Sequence, residues 1–442
     1  MEELLEAYRE STRKSYGQWM KSSRFLPGGN TRTSVYFKPY PVYLKEGDGC
    51  RVRDLDDNEY VDYLNNYTSL ILGHRHPRIL RAIERAASMG TAFSAPTELE
   101  YEHSEILSSR VPSVEKVRYA NSGSEAVMFA LRGARAFTGR NKVAKFEGAY
   151  HGSYDSAEVS VAPDGAASGP PDHPFAVAES EGIPPSVKDD VVVLPYNDPG
   201  ASEEIIRSHK GDLAAVIMEP ITGRMMVPAE KDFARAVREV TASNGILLIY
   251  DEVIAFRVDR GGGQRLLGVK PDMTVFGKII GGGFPVGAFG GREDIMELFD
   301  PAGSARIEHA GTFNANVFTL SAGIETLKAL TPSLIGRLNT NGAAVRKQLG
   351  RLFSDNSAAA SVTGLGSLFQ VHTCPEPPRN YRDTLASDRG LRRRLFFSLL
   401  LSGDFFASRL TGCISEPMAQ RELRKLVDDM GDALEPARKR TD

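Results

Sequence analysis

One lysine of this chain has neighbours that suit covalent chemistry with an aldehyde. Lys278 lies in the run Val275-Phe276-Gly277-Lys278-Ile279-Ile280, and three glycines follow it. Upstream, Asp251 ends the apolar run Leu247-Leu248-Ile249-Tyr250. A lysine amine can form a Schiff base with an aldehyde, and a carboxylate can keep a pyridine nitrogen protonated. The pair predicts pyridoxal phosphate held covalently by Lys278, with Asp251 as the partner of the ring nitrogen.

Each of these residues also has an ordinary structural interpretation. A lysine among apolar residues is usually a surface side chain whose stem covers hydrophobic atoms. An aspartate after a strand is usually a helix cap or a turn residue. The chemical interpretation therefore depends on finding both residues together with a place for the phosphate.

The segment 121–126, Asn121-Ser122-Gly123-Ser124-Glu125-Ala126, predicts that place. It joins a predicted strand to a predicted helix, and a helix N-terminus attracts anions through its free N–H groups. Ser122 and Ser124 can donate hydrogen bonds, and Gly123 permits close approach of the backbone. The alternative is an ordinary helix cap with Glu125 as the acidic residue of the first turn.

Further candidates follow other predicted strands. Tyr150 could lie on the face of a pyridine ring and His151 could orient a neighbour, although an aromatic residue at a strand end is more often part of the core. Glu219 follows another strand, and ligands of open α/β sheets gather at the carboxyl ends of strands. Asp251 lies at an equivalent end, so a shared crevice is expected.

The apolar pattern predicts an α/β fold with a mostly parallel sheet covered on both faces. A helix is expected over residues 1–24, followed by short strands and a hairpin turn at 56–58. From residue 76 helices and apolar strands alternate, and a smaller C-terminal domain is expected after residue 330. The predicted domains are 1–75, 76–330 and 331–442. Predicted short strands cover 33–37, 43–45 and 51–54; later strands cover 116–120, 142–146, 191–194, 214–218, 246–250 and 273–276; helices cover 77–88, 98–110 and 127–137.

Composition is that of a globular enzyme and gives no sign of other classes. The formal net charge of the 442 residues is −3 and charged residues make up 25%, so neither nucleic acid nor an anionic membrane is an expected partner. Three widely spaced cysteines suggest neither a metal site nor a disulfide framework. The acidic start of the chain does not look like a signal peptide, and a cytoplasmic location is expected.

These motifs, taken in order, resemble the class III aminotransferases, which are pyridoxal phosphate enzymes of fold type I. Within the class, the chain resembles the branch of glutamate semialdehyde aminomutase and, within it, the β-phenylalanine aminotransferases. The class resemblance rests on residues 121–126, 150–152, 219–220, 251–253, 277–278 and 309–313, and the finer one on 30–32, 67–68, 194–198, 311–316, 395–397 and 408–409.

The resemblance implies an aspartate aminotransferase-like fold, with a seven-stranded, mostly parallel sheet in the large domain and a small α+β domain built from both ends of the chain. It implies that Val253 packs behind the cofactor ring and that Thr312 reaches the phosphate of the neighbouring subunit in a homodimer with shared active sites. Arg32 and Arg409 would bind the substrate carboxylate, with Tyr67 beside them, although most arginines are simply solvated.

The implied reaction is a ping-pong transfer of an amino group from an amino acid, with pyridoxamine phosphate as the intermediate form of the cofactor and a keto acid such as 2-oxoglutarate as acceptor. A β-amino acid with an aromatic side chain is the expected donor. The alternatives are a glutamate semialdehyde-type aminomutase, an amino acid racemase and a non-catalytic protein that binds the cofactor.

Overall fold

The computed structural model describes residues 1–303 and 306–438. Within them the strands are β1 (Leu44–Asp48), β2 (Arg51–Asp54), β3 (Glu59–Asp62), β4 (Lys116–Ala120), β5 (Lys142–Phe146), β6 (Val191–Leu194), β7 (Leu213–Met218), β8 (Leu247–Asp251), β9 (Met273–Gly277), β10 (Gly287–Gly291), β11 (Ser361–Thr363), β12 (Leu368–His372), β13 (Asp404–Phe405) and β14 (Thr411–Cys413).

The helices of the described residues are α1 (Glu2–Ser11), α2 (Arg13–Ser22), α3 (Asn65–Thr68), α4 (Pro77–Met89), α5 (Glu98–Arg110), α6 (Gly123–Thr138), α7 (Pro185–Asp189), α8 (Pro199–Ser208), α9 (Lys231–Ser243), α10 (Gly263–Leu267), α11 (Glu293–Met296), α12 (Val317–Ala329), α13 (Pro332–Asp355), α14 (Arg389–Leu401) and α15 (Gln420–Arg438). Among them, no helix combines the length and the apolar character that a membrane span requires.

The chain forms two compact units. The larger unit comprises Pro77–Gly336 and Pro378–Leu385, and the other comprises Met1–His76, Arg337–Pro377 and Ala386–Asp442. The domain boundaries expected from the sequence stay predictions.

A seven-stranded sheet, in the order β4-β10-β9-β8-β7-β5-β6, runs through the described part of the larger unit. Strand β10 is antiparallel to both of its neighbours, and the other strands are parallel to one another. This confirms the predicted α/β fold of fold type I with a mostly parallel sheet. Because β4, β5, β7, β8 and β9 run the same way, their carboxyl ends lie at one edge.

Both faces of this sheet are buried, as the continuous apolar strands predicted. Side chains alternate along each strand, so that Ala215 and Ile217 face one apolar cluster, and Val216 and Met218 face another. Helix α6 covers the first face, and helices α8 and α9 cover the second. Burial of each Val, Ile or Leu side chain contributes about 1.5–3 kcal/mol to the stability of the fold. The sheet is therefore a rigid scaffold for groups at its edge.

The other unit contains two small sheets, in the orders β1-β2-β3-β13 and β11-β12-β14. Strands β2 and β3 form the expected hairpin, whose turn residue Asp57 has a left-handed φ of 73°. Helix α1 is anchored by Tyr8, which is fully buried, packs on Phe397 and donates a hydrogen bond to the Tyr40 carbonyl at 2.8 Å.

Two local predictions for this unit were wrong. The expected single helix over residues 1–24 is broken at Thr12, whose hydroxyl donates to the Tyr8 carbonyl, while Asp56 accepts from the first N–H groups of α2 at Lys14 and Ser15. An aspartate from a distant turn thus caps a second helix. The strand expected over 33–37 is a 3₁₀ turn at Thr33–Val35.

Candidate active site

The residues predicted to do chemistry lie at the carboxyl edge of the large sheet. Asp251 ends β8, Glu219 follows β7, and Lys278 follows β9. Tyr150 and His151 lie in the loop after β5, and residues 121–124 connect β4 to α6. Parallel strands bring these separate segments together, which is the usual place for a ligand in open α/β folds.

Asp251 and His151 form a buried pair. The Nδ1 atom of His151 lies 2.8 Å from Oδ2 of Asp251, and Oδ1 of Asp251 accepts from the N–H of Val253 at 3.0 Å. The relative exposure of His151 is 2% and that of Asp251 is 4%. Burial lowers the pKa of His151, which favours a neutral ring whose Nδ1–H donates to the carboxylate.

Glu219 connects the strand edge to the loop that carries Tyr150. One carboxyl oxygen accepts from the N–H of Tyr150 at 3.1 Å, and the other accepts from the N–H of Gly223 at 2.8 Å. Burial, together with the nearby Asp251, raises the pKa of Glu219 to about 8. At neutral pH this carboxyl is therefore mostly protonated.

Lys278 begins a one-turn 3₁₀ helix, Lys278–Gly281, and its backbone has a left-handed φ of 50°. This conformation is costly for a residue with a Cβ and persists only where the surroundings enforce it. Burial lowers the pKa of the Lys278 amine, whereas Asp251 and Glu219 act in the opposite direction. The net effect is a lowered pKa, which favours an amine that can be neutral during catalysis.

The turn at residues 121–124 is a helix cap with spare donors. Ser122 Oγ accepts from the N–H of Glu125 at 3.2 Å, and the Glu125 carboxylate turns back to accept from the N–H groups of Asn121 and Ser122. Ser124 Oγ accepts from the N–H of Ser153 at 3.0 Å. Neither serine hydroxyl donates to an acceptor among the described residues, so both hydrogens remain for another acceptor. First-turn N–H groups also lack a carbonyl partner within a helix.

Val253 lies between the turn before α6 and the lysine turn. A Cβ on Gly123 would lie 3.3 Å from Val253 Cγ2, and a Cβ on Gly277 would lie 3.4 Å from Val253 Cγ1. A Cβ on Gly152 would lie 2.6 Å from Ser124 Cα. The loop that contains His151 therefore packs closely against the same turn. The structure thus brings the predicted lysine, carboxylate and serine turn together.

Thr312 and Tyr150 are the more open members of the predicted set. Tyr150 is 40% exposed, so its ring is not a core aromatic. Thr312 is exposed in the loop before α12, and Asn314 of that loop accepts from the Asn121 side chain at 2.9 Å. The loop of Thr312 therefore lies beside the turn that precedes α6.

The predicted substrate residues belong to the other unit. Arg32 is exposed, donates to the Asn66 side chain at 2.9 Å and has its guanidinium carbon 6.0 Å from the centre of the Tyr67 ring. The Tyr67 hydroxyl donates to the Ser34 carbonyl. Arg409 is partly buried between β13 and β14. Arg32 and Tyr67 lie together, and all three roles stay predictions.

Lys145 belongs to this region and was missed from the sequence. It is 1% exposed, and its amine donates to the carbonyls of Ala149 and Val159, which fixes the loop containing Tyr150 and His151. Burial lowers the pKa of Lys145 to about 7. The available signal was Lys145 between Ala144 and Phe146, a charge inside the apolar part of a strand that must find partners if the strand is buried.

These residues fit pyridoxal phosphate. Among the described residues His151 Nε2 is buried without a hydrogen-bond partner, so one polar atom beside Asp251 is still to be satisfied. The two serine hydroxyls and the first-turn N–H groups can take a phosphate. Asp251 can hold a protonated ring nitrogen, and the Lys278 amine can take the aldehyde.

Comparison with known proteins identifies the family. The family model described as Aminotransferase class-III matches residues 34–395. A glutamate-1-semialdehyde 2,1-aminomutase of Pelotomaculum thermopropionicum is 42% identical over 401 residues, which cover 89% of this chain and 90% of that protein.

Solved structures agree with this family. An omega-transaminase from Sphaerobacter thermophilus is 45% identical with a TM-score of 0.94, over 98% of this chain and 99% of that one. A β-phenylalanine aminotransferase from Variovorax paradoxus is 34% identical with a TM-score of 0.90, over 98% of this chain and 97% of that one. The chain therefore belongs to the class III aminotransferases, enzymes whose cofactor is pyridoxal phosphate.

Proposed function

We propose that this enzyme is a transaminase, which moves an amino group from an amino acid to a keto acid such as 2-oxoglutarate by a ping-pong mechanism. The observation that carries the proposal is the meeting of Lys278, Asp251 and Glu219 at one sheet edge, where burial lowers the pKa of the Lys278 amine. The strong likeness to an omega-transaminase over nearly the whole chain supports it.

The proposed roles follow from the contacts of each residue. Bound pyridoxal phosphate would supply a ring that accepts electrons and would carry the amino group between the two halves of the reaction. Lys278 holds the cofactor and, once released as a neutral amine, takes the proton from the substrate carbon. Asp251 keeps the ring nitrogen protonated, and His151 orients Asp251 through their 2.8 Å contact.

The serine turn and its neighbours would hold the rest of the cofactor. Ser122, Gly123 and Ser124 would bind the phosphate, because their free donors lie at the start of α6. Tyr150 would cover one face of the ring, and Val253 would support the other. Glu219, which is mostly protonated at neutral pH, would fix Tyr150 by accepting from its N–H without adding a second negative charge beside Asp251.

The proposed donor is a β-amino acid with an aromatic side chain. A planar guanidinium suits a carboxylate, and Arg32, which contacts Asn66 and Tyr67, would offer one. Arg409 is the second proposed carboxylate ligand. The likeness to a β-phenylalanine aminotransferase at 34% identity favours this substrate class.

We also propose a homodimer with shared active sites. Thr312 and Phe313 are exposed, with Phe313 at 58%, and Phe93 is exposed at 48%. Two exposed phenylalanine side chains suit an interface. In the dimer, Thr312 would bind the phosphate held by the partner subunit.

Mixing Lys278→Ala protein with Thr312→Ala protein tests this, because one site of each mixed dimer would carry neither substitution and activity should return. Failure of two dimeric variants to complement would contradict it.

The transaminase proposal is tested by a half-reaction. The purified holoenzyme is mixed with β-phenylalanine alone, and the visible absorbance band of the cofactor is followed before and after addition of 2-oxoglutarate. Loss of the band with the donor, and its return with the acceptor, are expected. Lys278→Ala should bind the cofactor without the covalent bond and should give no such cycle. A spectrum that the donor leaves unchanged would contradict the donor class.

Aminomutase activity is the second candidate, because the curated relative at 42% identity bears that name. A mutase returns the amino group to a neighbouring carbon of the same molecule and consumes no acceptor. Glutamate semialdehyde is therefore supplied without any keto acid. Turnover many times in excess of the enzyme would favour the mutase, whereas a single stoichiometric exchange would favour the transaminase.

A further inference from the structure

His103 is a fully buried histidine on α5 with both ring nitrogens engaged. Its Nε2 lies 2.8 Å from the carbonyl oxygen of Ile280, and its Nδ1 lies 2.8 Å from the hydroxyl of Tyr119 on β4. The carbonyl belongs to the 3₁₀ turn Lys278–Gly281 that begins with Lys278. A helix remote in the chain thus reaches the turn of the proposed cofactor lysine.

The carbonyl fixes the protonation of this ring. A carbonyl oxygen can only accept, so Nε2 carries the hydrogen and donates to Ile280. Burial lowers the pKa of His103 to about 4, so the ring is neutral and Nδ1 accepts from the Tyr119 hydroxyl. Ser104 Oγ lies 3.0 Å from the same hydroxyl, and Ser104 also donates to the Glu100 carbonyl at 2.6 Å. The ring is therefore held in one tautomer and one orientation.

The hydrogen bond to Ile280 lies in a tightly packed contact between the turn, α5 and α12. A Cβ added to Gly323 on α12 would collide with the Ile280 carbonyl oxygen and would lie 2.8 Å from His103 Nε2. A Cβ on Gly282, which follows the turn, would lie 2.6 Å from the carbonyl carbon of Ala322 on the same helix. Helices α5 and α12 thus enclose the turn from two directions.

The turn needs such enclosure because Lys278 has a left-handed φ of 50°. A residue with a side chain relaxes from that conformation unless its neighbours prevent it. Ile280 is two residues downstream, so a fixed Ile280 carbonyl limits how the backbone of Lys278 can turn.

We propose that His103 is a positioning residue for Lys278, acting through its Nε2–H bond to the Ile280 carbonyl to keep the lysine backbone in its left-handed conformation. This rests on the proposed function, in which Lys278 holds the cofactor and moves the proton. A small displacement of the amine would then slow proton transfer more than substrate binding.

The decisive comparison is between His103→Leu and His103→Gln. Leucine fills the space without a donor, whereas the glutamine amide can donate to the Ile280 carbonyl. In the holoenzyme, His103→Leu should lower kcat about tenfold to a hundredfold while KM for the donor changes far less, and glutamine should restore most of kcat. Gly323→Ala, which presses on the same bond from α12, should resemble His103→Leu. Gly336→Ala, where an added Cβ meets nothing within 4 Å, is the matched control.

Hydrogen–deuterium exchange of the peptide covering residues 277–286 gives a readout independent of turnover. It should be faster in His103→Leu and Gly323→Ala, with or without cofactor, and close to wild type in His103→Gln. Normal kcat and normal exchange in a folded His103→Leu protein would overturn the proposal. If His103→Leu does not fold, normal kcat and exchange in Gly323→Ala would overturn it.

The two proposals fail in different ways. If Lys278→Ala still forms a covalent bond to the cofactor, the proposed function fails, whatever His103 does. If Lys278→Ala is inactive and the exchange of the turn is insensitive to His103, the positioning role alone fails.

Discussion

His151 Nδ1 lies 2.8 Å from Asp251 Oδ2, and this contact joins the loop after β5 to the end of β8. Asp251 also accepts from the N–H of Val253, so two hydrogen bonds fix the orientation of its carboxyl group. A carboxylate held in this way can present its charge to a ring nitrogen without reorganisation, which is the condition for strong electrostatic catalysis.

Replacement of Asp251 by asparagine should therefore reduce kcat sharply. The Asp251→Asn substitution keeps the size of the side chain and removes the carboxylate that would hold the ring nitrogen protonated in the proposed mechanism, so we expect a loss of about 10² to 10³ in kcat. The control is Asp272→Asn, because Asp272 is also buried but precedes β9 at the opposite edge of the sheet, paired with Arg238 and Arg292. It should lower stability and leave kcat nearly unchanged. Equal kcat losses in the two variants would count against the role of Asp251.

Gly152→Ala should weaken cofactor binding. Gly152 has a φ of 88°, and an added Cβ would lie 2.6 Å from Ser124 Cα, so the serine turn would have to move. Gly139→Ala is a matched control, because Gly139 has a φ of 69° and an added Cβ would meet nothing within 4 Å. Both substitutions carry a backbone strain of about 1 kcal/mol or more. Equilibrium dialysis of pyridoxal phosphate should show weaker binding for Gly152→Ala alone.

Lys145→Met should change how stability depends on pH. The folded-state pKa of Lys145 is about 7, below its ordinary value of 10.5, so between these pH values the unfolded chain binds more protons at this site. Lys145 therefore makes the cofactor-free protein more stable as pH rises through that window. In Lys145→Met this contribution is absent, and the carbonyls of Ala149 and Val159 lose their donor, at a cost of about 1–3 kcal/mol.

Urea unfolding of the two cofactor-free proteins at pH 7 and pH 10 measures this effect. As pH rises, the free energy of unfolding of the wild type should increase relative to that of the variant. A stability difference that stays constant or shrinks over the window would show that Lys145 does not titrate as expected.

Arg32→Ala should raise KM for β-amino acids. A charge-assisted hydrogen bond contributes about 1.5–3 kcal/mol, so the expected rise is about tenfold to a hundredfold. An amine with the same aromatic group and no carboxylate, α-ethylbenzylamine, should not be affected. Arg24→Ala, an exposed arginine of the same segment, is the control. An equal rise of KM for both donors would show that Arg32 shapes the pocket without binding the carboxylate.

Local patterns in the sequence determined most of the large sheet. Strands β4, β5 and β6 have the predicted limits; β6 is a continuous apolar run, whereas β4 and β5 each also contain two basic residues. Strand β10 was not predicted, although the family resemblance implied seven strands. Its sequence, Gly287-Ala288-Phe289-Gly290-Gly291, has the composition of a loop. The reason lies in its neighbours, since a Cβ on Gly290 would lie 2.6 Å from the Lys116 carbonyl oxygen and one on Gly291 would lie 2.5 Å from that of Asp272.

The sequence also supplied the candidates for the chemistry, Lys278 and Asp251, because few structural roles require these residue types in such apolar surroundings; their catalytic roles stay predictions. Tertiary structure alone decided which groups surround them. The partnership of His151 with Asp251 and the bond from His103 to Ile280 join residues 100 and 177 positions apart in the chain, and Lys145 is buried because β6 and β7 flank its strand. Periodicity and spacing report on neighbours along the chain, whereas these contacts depend on the order and direction of strands and on which helix packs over which turn.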